Sequence, residues 1–62
     1  MNVFEEAYRK MLELDVVQEK LYWAHRADYA ANGALFDMDL YLKWEMAFTD
    51  YNLALEEWLR HN

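Results

Sequence analysis

The chain has 62 residues, no cysteine, no proline, one glycine and a formal charge of −6. That length holds one domain at most, and the lack of cysteine excludes disulfides and thiolate metal sites. Twelve Asp and Glu against six Lys and Arg oppose a phosphate-binding face, so no direct contact with nucleic acid is expected, and none with an anionic membrane surface.

The apolar fraction of 56% and aromatic fraction of 18% are the reverse of what keeps a chain disordered. A monomer of this size buries only about 60% of its unfolded surface. Disulfides, metals and oligomerisation are the usual remedies; with disulfides and thiolate metal sites excluded, oligomerisation leads, so a homo-oligomer or a permanent protein partner is expected. The longest apolar run, Leu21–Ala24, has four residues, against about 20 for a membrane span. No basic segment followed by an apolar one marks a secretory leader, and a cytoplasmic protein is expected.

In chain order, Asn2 is suited to cap a helix, with Glu5 at the third helical position and Glu6 beside it in the acidic first turn. A heptad then runs through Phe4, Ala7, Met11, Leu14, Gln18, Leu21, His25, Asp28 and Asn32, alternating steps of three and four. Asn32-Gly33 is the one turn signal, because glycine suits the left-handed position that ends a helix. The first helix is predicted over about 3–31 and the connection over about 32–37.

Asp37 is the expected second cap, with Phe36 and Tyr41 placed to form a hydrophobic staple. The second helix is predicted over about 38–60, with a seam of Leu40, Trp44, Ala47, Tyr51, Ala54 and Trp58. A short loop between long helices makes them antiparallel neighbours, so the fold class is all-α, a two-helix hairpin. Depth in that hairpin pairs His25 with Trp44, Gln18 with Tyr51, Leu14 with Ala54 and Met11 with Trp58.

Each helix also carries a second apolar stripe: Leu12, Val16, Trp23 and Ala27 on the first, Met38, Leu42, Met46 and Leu53 on the second. Left exposed, these exceed the apolar patch that a monomer tolerates. Pairing two hairpins about a two-fold axis gives a four-helix bundle and buries one set. These eight residues are therefore the expected partner or oligomer interface, with Trp23 as its anchor. In length and topology this outline resembles the hairpin dimers of the Rop family of plasmid RNA-binding proteins. The basic RNA face of that family is missing here, so the resemblance implies architecture alone.

Gln18, His25 and Asp28 are polar residues in an apolar seam. Such a layer sets register and oligomer state. Gln18 is expected to bond Tyr51, and Asp28 to orient His25 or face solvent. His25 and Asp28 also sit three apart, a spacing compatible with acid–base or metal chemistry. A di-metal bundle requires Glu-x-x-His motifs, and the chain has none. No metal and no cofactor are expected. There is no Ser-His-Asp order, no Cys nucleophile and no Gly-rich phosphate loop, so no catalytic residues are assigned and no enzyme is expected.

Two groups of carboxylates stand out, Glu5, Glu6, Glu56 and Glu57 at the open end of the hairpin, with Arg9, Lys10 and Arg60 among them, and Asp28, Asp37 and Asp39 at the loop end. The expected function is a small acidic protein–protein interaction or regulatory module acting through an aromatic, acidic helical surface. Two further readings fit the composition. One is a nucleic-acid-mimicking inhibitor of a DNA- or RNA-binding protein, since small acidic inhibitors made by mobile elements resemble this composition. The other is a structural subunit of a larger helical assembly.

Overall fold

A computed structural model describes residues 2–61. Helix α1 spans Val3–Asn32 and helix α2 spans Met38–Arg60, joined through a single 3₁₀ turn at Gly33–Leu35. The two helices pack against each other as an antiparallel hairpin. Its long dimension is 45 Å, about the length of 30 residues at 1.5 Å rise each. No helix among the described residues is long and apolar enough to cross a membrane.

Local chemistry sets the helix ends. Asn2 caps α1, its Oδ1 accepting from the Glu5 N–H at 2.7 Å. Asp37 caps α2, its Oδ1 accepting from the Leu40 N–H at 3.3 Å. The Phe36 and Tyr41 rings meet edge to face at 5.9 Å, which is the expected staple. Helix α1 ends at Asn32, one residue beyond the expected boundary.

Gly33 follows with φ 56° and ψ −126°, a conformation that side chains with a Cβ rarely adopt, and its N–H donates to the Tyr29 carbonyl. A Cβ there would meet nothing within 4 Å, so a side chain is opposed by backbone conformation alone. Gly33→Ala is expected to destabilise the hairpin by about 1–2 kcal/mol. Urea unfolding checks this as a lower midpoint with an unchanged slope.

Asp28 has a task different from the expected one. It neither orients His25 nor faces solvent unengaged. Its Oδ2 accepts from the backbone N–H of Asp37, and its Oδ1 accepts from Asn32 Nδ2 at 2.7 Å. One carboxylate thus ties the last turn of α1 to the residue that caps α2. Helix C-termini leave carbonyls free and helix N-termini leave N–H groups free. A carboxylate in the last turn of α1 therefore finds its donor at the start of α2, not on an imidazole one turn back.

The core is thin. Among the described residues only Ala7, Met11 and Ala54 are buried, and the rest of both seams is half-buried or exposed. Ala7 and Ala54 line the same recess at the open end, where small side chains let the helices come close. The accessible surface is 4793 Å², against about 4,300 Å² for a compact monomer of this mass. Large apolar side chains are among the exposed ones: Trp23 is 59% exposed, Leu53 60% and Met46 70%.

Candidate protein-interaction surfaces

The polar layer of the seam lies at mid-length. Gln18 Nε2 donates to Asp15 Oδ1 at 2.9 Å, one turn back on α1. That leaves the Gln18 carbonyl oxygen turned toward α2, where Trp44 Nε1 donates to it at 3.4 Å. The expected partner was Tyr51. Indole N–H is a donor only, so it can satisfy that oxygen and nothing else.

His25 lies two layers nearer the loop, beyond Leu21. Its ring stacks on Trp44 at 6.0 Å with an interplanar angle of 9°, the pairing expected from depth. Tyr41, Phe36 and Tyr29 surround it at 5.1, 5.6 and 6.3 Å. Its Nδ1 is buried without a hydrogen-bond partner. Among the described residues no group of three His, Asp or Glu converges where it could hold a metal ion. With Asp28 engaged at the loop, His25 acts here as one ring of an aromatic layer.

That layer belongs to a longer aromatic row. Trp44 also meets Tyr22 and Phe48, each at 5.6 Å, and Phe48 meets Tyr51 at 6.4 Å. At the open end Trp58 meets Tyr8 at 5.4 Å and Phe4 at 6.0 Å. Arg26 caps the row at Tyr22, donating from Nη1 to the phenol oxygen at 3.0 Å with its guanidinium 5.9 Å from the ring centroid. Grouping by seam alone does not find this row. Its signal in the sequence is the spacing of Tyr8, Tyr22 and Tyr29 by fourteen and seven residues, which keeps those rings on one side of α1.

The second stripes lie on the two outer edges of the hairpin. At 100° per residue, Leu12, Val16, Trp23, Ala27 and Ala30 point about 180° away from the α1 seam, and all five are exposed. Leu42, Met46 and Leu53 point away from the α2 seam in the same sense and are exposed, as is Met38 at the start of the stripe. The two stripes thus face opposite directions, and no single docking event on one broad side covers both. Along α2, the ridge has Glu45 and Glu56 on one margin and Asp39, Asp50 and Glu57 on the other, all exposed. A shallow depression lies on it, lined by Leu42, Glu45, Met46, Thr49 and Asp50.

The acidic residues do not form one surface. Glu6 and Glu57 line a recess together with Lys10, while Glu5 lies on another side beside Arg9. Asp37 is occupied as a cap. Asp39, Glu56 and Glu57 join the margins of the α2 ridge.

Comparison with protein-family models, with curated proteins and with solved structures finds no match to this chain.

Proposed function

We propose that this chain is a non-enzymatic protein-interaction module, and that the outer edge of α2 is its binding surface for a protein partner. The observation that carries the reading is the exposed ridge of Leu42, Met46 and Leu53 with carboxylates along both margins. An apolar helix ridge fits an apolar groove, and its side chains supply the burial that drives association. The flanking Asp39, Glu45, Asp50, Glu56 and Glu57 select a groove rimmed by Lys and Arg and speed encounter with it. A regulatory or inhibitory role follows from occupying such a groove.

Affinity capture from the native host, read by mass spectrometry, tests this with three baits: the wild type, Leu42→Ala/Met46→Ala, and Glu45→Lys/Asp50→Lys. The wild type is expected to retain a basic protein that both variants lose. Retention should weaken as the Debye length falls from about 10 Å at 0.1 M salt to about 3 Å at 1 M. Equal retention by all three baits, or retention indifferent to salt, rejects the α2 edge as the binding surface.

A further inference from the structure

We infer that the broad aromatic side of the hairpin packs on the same side of a second copy of this chain, about a two-fold axis running along the hairpin's length, to give a four-helix bundle. This goes beyond the reading above and does not rest on it. The second stripes lie on the outer edges of the hairpin, outside this contact.

Each helix carries a second repeat that shares every other residue with its seam and is turned partly out of the hairpin. On α1, steps of four and three run from Phe4 through Tyr8 and Met11 to Tyr22, His25 and Tyr29, with Asp15 and Gln18 as a polar pair midway. On α2 the same steps run through Tyr41, Trp44, Phe48, Tyr51, Leu55 and Trp58. Such steps mark the core of a bundle, where each helix has two neighbours and its core side chains point between them. The hairpin supplies one neighbour: Tyr8 meets Trp58, Tyr22 meets Trp44 and His25 meets Tyr41 across it. Yet of the two repeats only Met11 is buried, and Phe4, Tyr8, Tyr29 and Phe48 are exposed. Tyr22, His25, Tyr29 and Trp44 line an open cleft on this side. The opposite broad side carries Glu6, Lys10, Asp50 and Glu57, as a solvated side does. The aromatic side is about 37 Å long and about 20 Å wide, close to the roughly 800 Å² per partner that a stable interface buries.

The polar groups of this side point to a second copy as what covers it. A two-fold contact is self-complementary, so each polar group must find its opposite on its own surface. A two-fold along the length keeps every residue at its own depth and lays α1 on α2 of the second copy, antiparallel. The pairs that meet inside the hairpin therefore also set the register across the contact. Arg26 stands at the α1 margin of the aromatic side, its guanidinium folded back over Tyr22. Glu45, next to Trp44, stands at the α2 margin. The rotation exchanges the two margins, and because Tyr22 meets Trp44, it brings Glu45 of the second copy beside that guanidinium, with the symmetric pair formed as well. Glu19 lies a turn below Tyr22 on the same margin, so the guanidinium stands between two carboxylates. At mid-length Asp15, one of whose oxygens accepts from Gln18, comes level with Asn52 of the second copy, whose amide N–H groups suit the other oxygen. A two-fold across the length would instead lay α1 on α1. It would gather Asp15 and Glu19 of both copies near the middle of α1, four carboxylates on one margin, which like-charge repulsion opposes. The product is a compact bundle, as expected from the sequence, but closed over the aromatic side and not over the second stripes.

Sedimentation equilibrium on the wild type, Arg26→Glu, the double swap Arg26→Glu/Glu45→Arg, and Trp23→Ala tests this arrangement. The wild type is expected at twice the chain mass of 7.6 kDa. Arg26→Glu turns two attractions into two repulsions and should weaken the dimer by about tenfold or more. The double swap restores opposite charges across the contact and should recover most of the affinity, which also shows that the single variant lost the contact and not the hairpin. Trp23→Ala, on the outer edge of α1, should leave the dimer unchanged. A monomeric wild type, a dimer indifferent to Arg26→Glu, a double swap as weak as the single variant, or a dimer lost with Trp23→Ala overturns the inference. Glu45 also borders the α2 ridge, so Leu42→Ala/Met46→Ala is the variant that separates the two surfaces, and it should remain a dimer. A monomeric wild type that still captures its partner removes the aromatic contact alone. A dimer with no difference among the three capture baits removes the α2 reading instead.

Discussion

Trp44→Ala is expected to unfold most of the chain at room temperature. Trp44 meets Tyr22, His25, Tyr41 and Phe48 at ring-centroid distances of 5.6 to 6.0 Å, and it also donates to Gln18. Three of these contacts, to Tyr22, His25 and Gln18, cross between the helices. Truncating a large aromatic side chain at such a site costs about 3–4 kcal/mol. Leaving the Gln18 carbonyl oxygen without its donor adds about 1 kcal/mol. A 62-residue domain has a total stability of only about 3–9 kcal/mol. The loss is therefore of the same size as the whole. Far-ultraviolet circular dichroism should show most helicity gone, and Trp23→Ala, on the exposed edge, should retain it. A Trp44→Ala melt within a few degrees of the wild type would show that the hairpin is held elsewhere.

Trp58→Ala is expected to cost about 3 kcal/mol, because Trp58 closes the open end against Phe4 and Tyr8. The more discriminating variant is Trp58→Phe. Trp58 Nε1 is buried with no hydrogen-bond partner. A buried donor left unpaired costs about 1–3 kcal/mol, so removing it while keeping a ring against Phe4 and Tyr8 offsets most of the lost area. Trp58→Phe should fall within about 1 kcal/mol of the wild type on either side. Trp44→Phe should be clearly destabilising, because there the same substitution breaks the bond to Gln18. Urea midpoints compare the two. If Trp58→Phe proves the more damaging, the unpaired N–H has no energetic weight and ring size governs both sites.

The contrast between the two tryptophans was not legible in the sequence. Both sit in the same heptad seam, fourteen residues apart, and their polar atoms differ only in what the facing helix supplies. The pairing of His25 with Trp44 was legible, since loop length sets which depths meet. The partner of Gln18 was not, because the indole of Trp44, stacked on His25, also reaches back along the seam to the Gln18 oxygen, and depth alone does not give the reach of a side chain. Asp28 is a sharper case. Its heptad position reads as seam, yet its carboxylate is taken by a backbone N–H nine residues on, and only the course of the loop brings that group within reach.

By itself the sequence determined the number of helices, their ends at Asn2, Gly33 and Asp37, their antiparallel arrangement and the existence of two apolar stripes on each. All of these follow from local chemistry: caps act over three residues, and a 3.6-residue period sorts side chains to sides of a helix. The tertiary structure alone decided where the second stripes go. Once the seams pack, the direction of every other side of each helix is set, and the Trp23 edge and the Met46 edge end up facing opposite ways. The Trp23 edge and an acid-rimmed Met46 edge, rather than a single aromatic surface, are what the packed hairpin presents to other molecules.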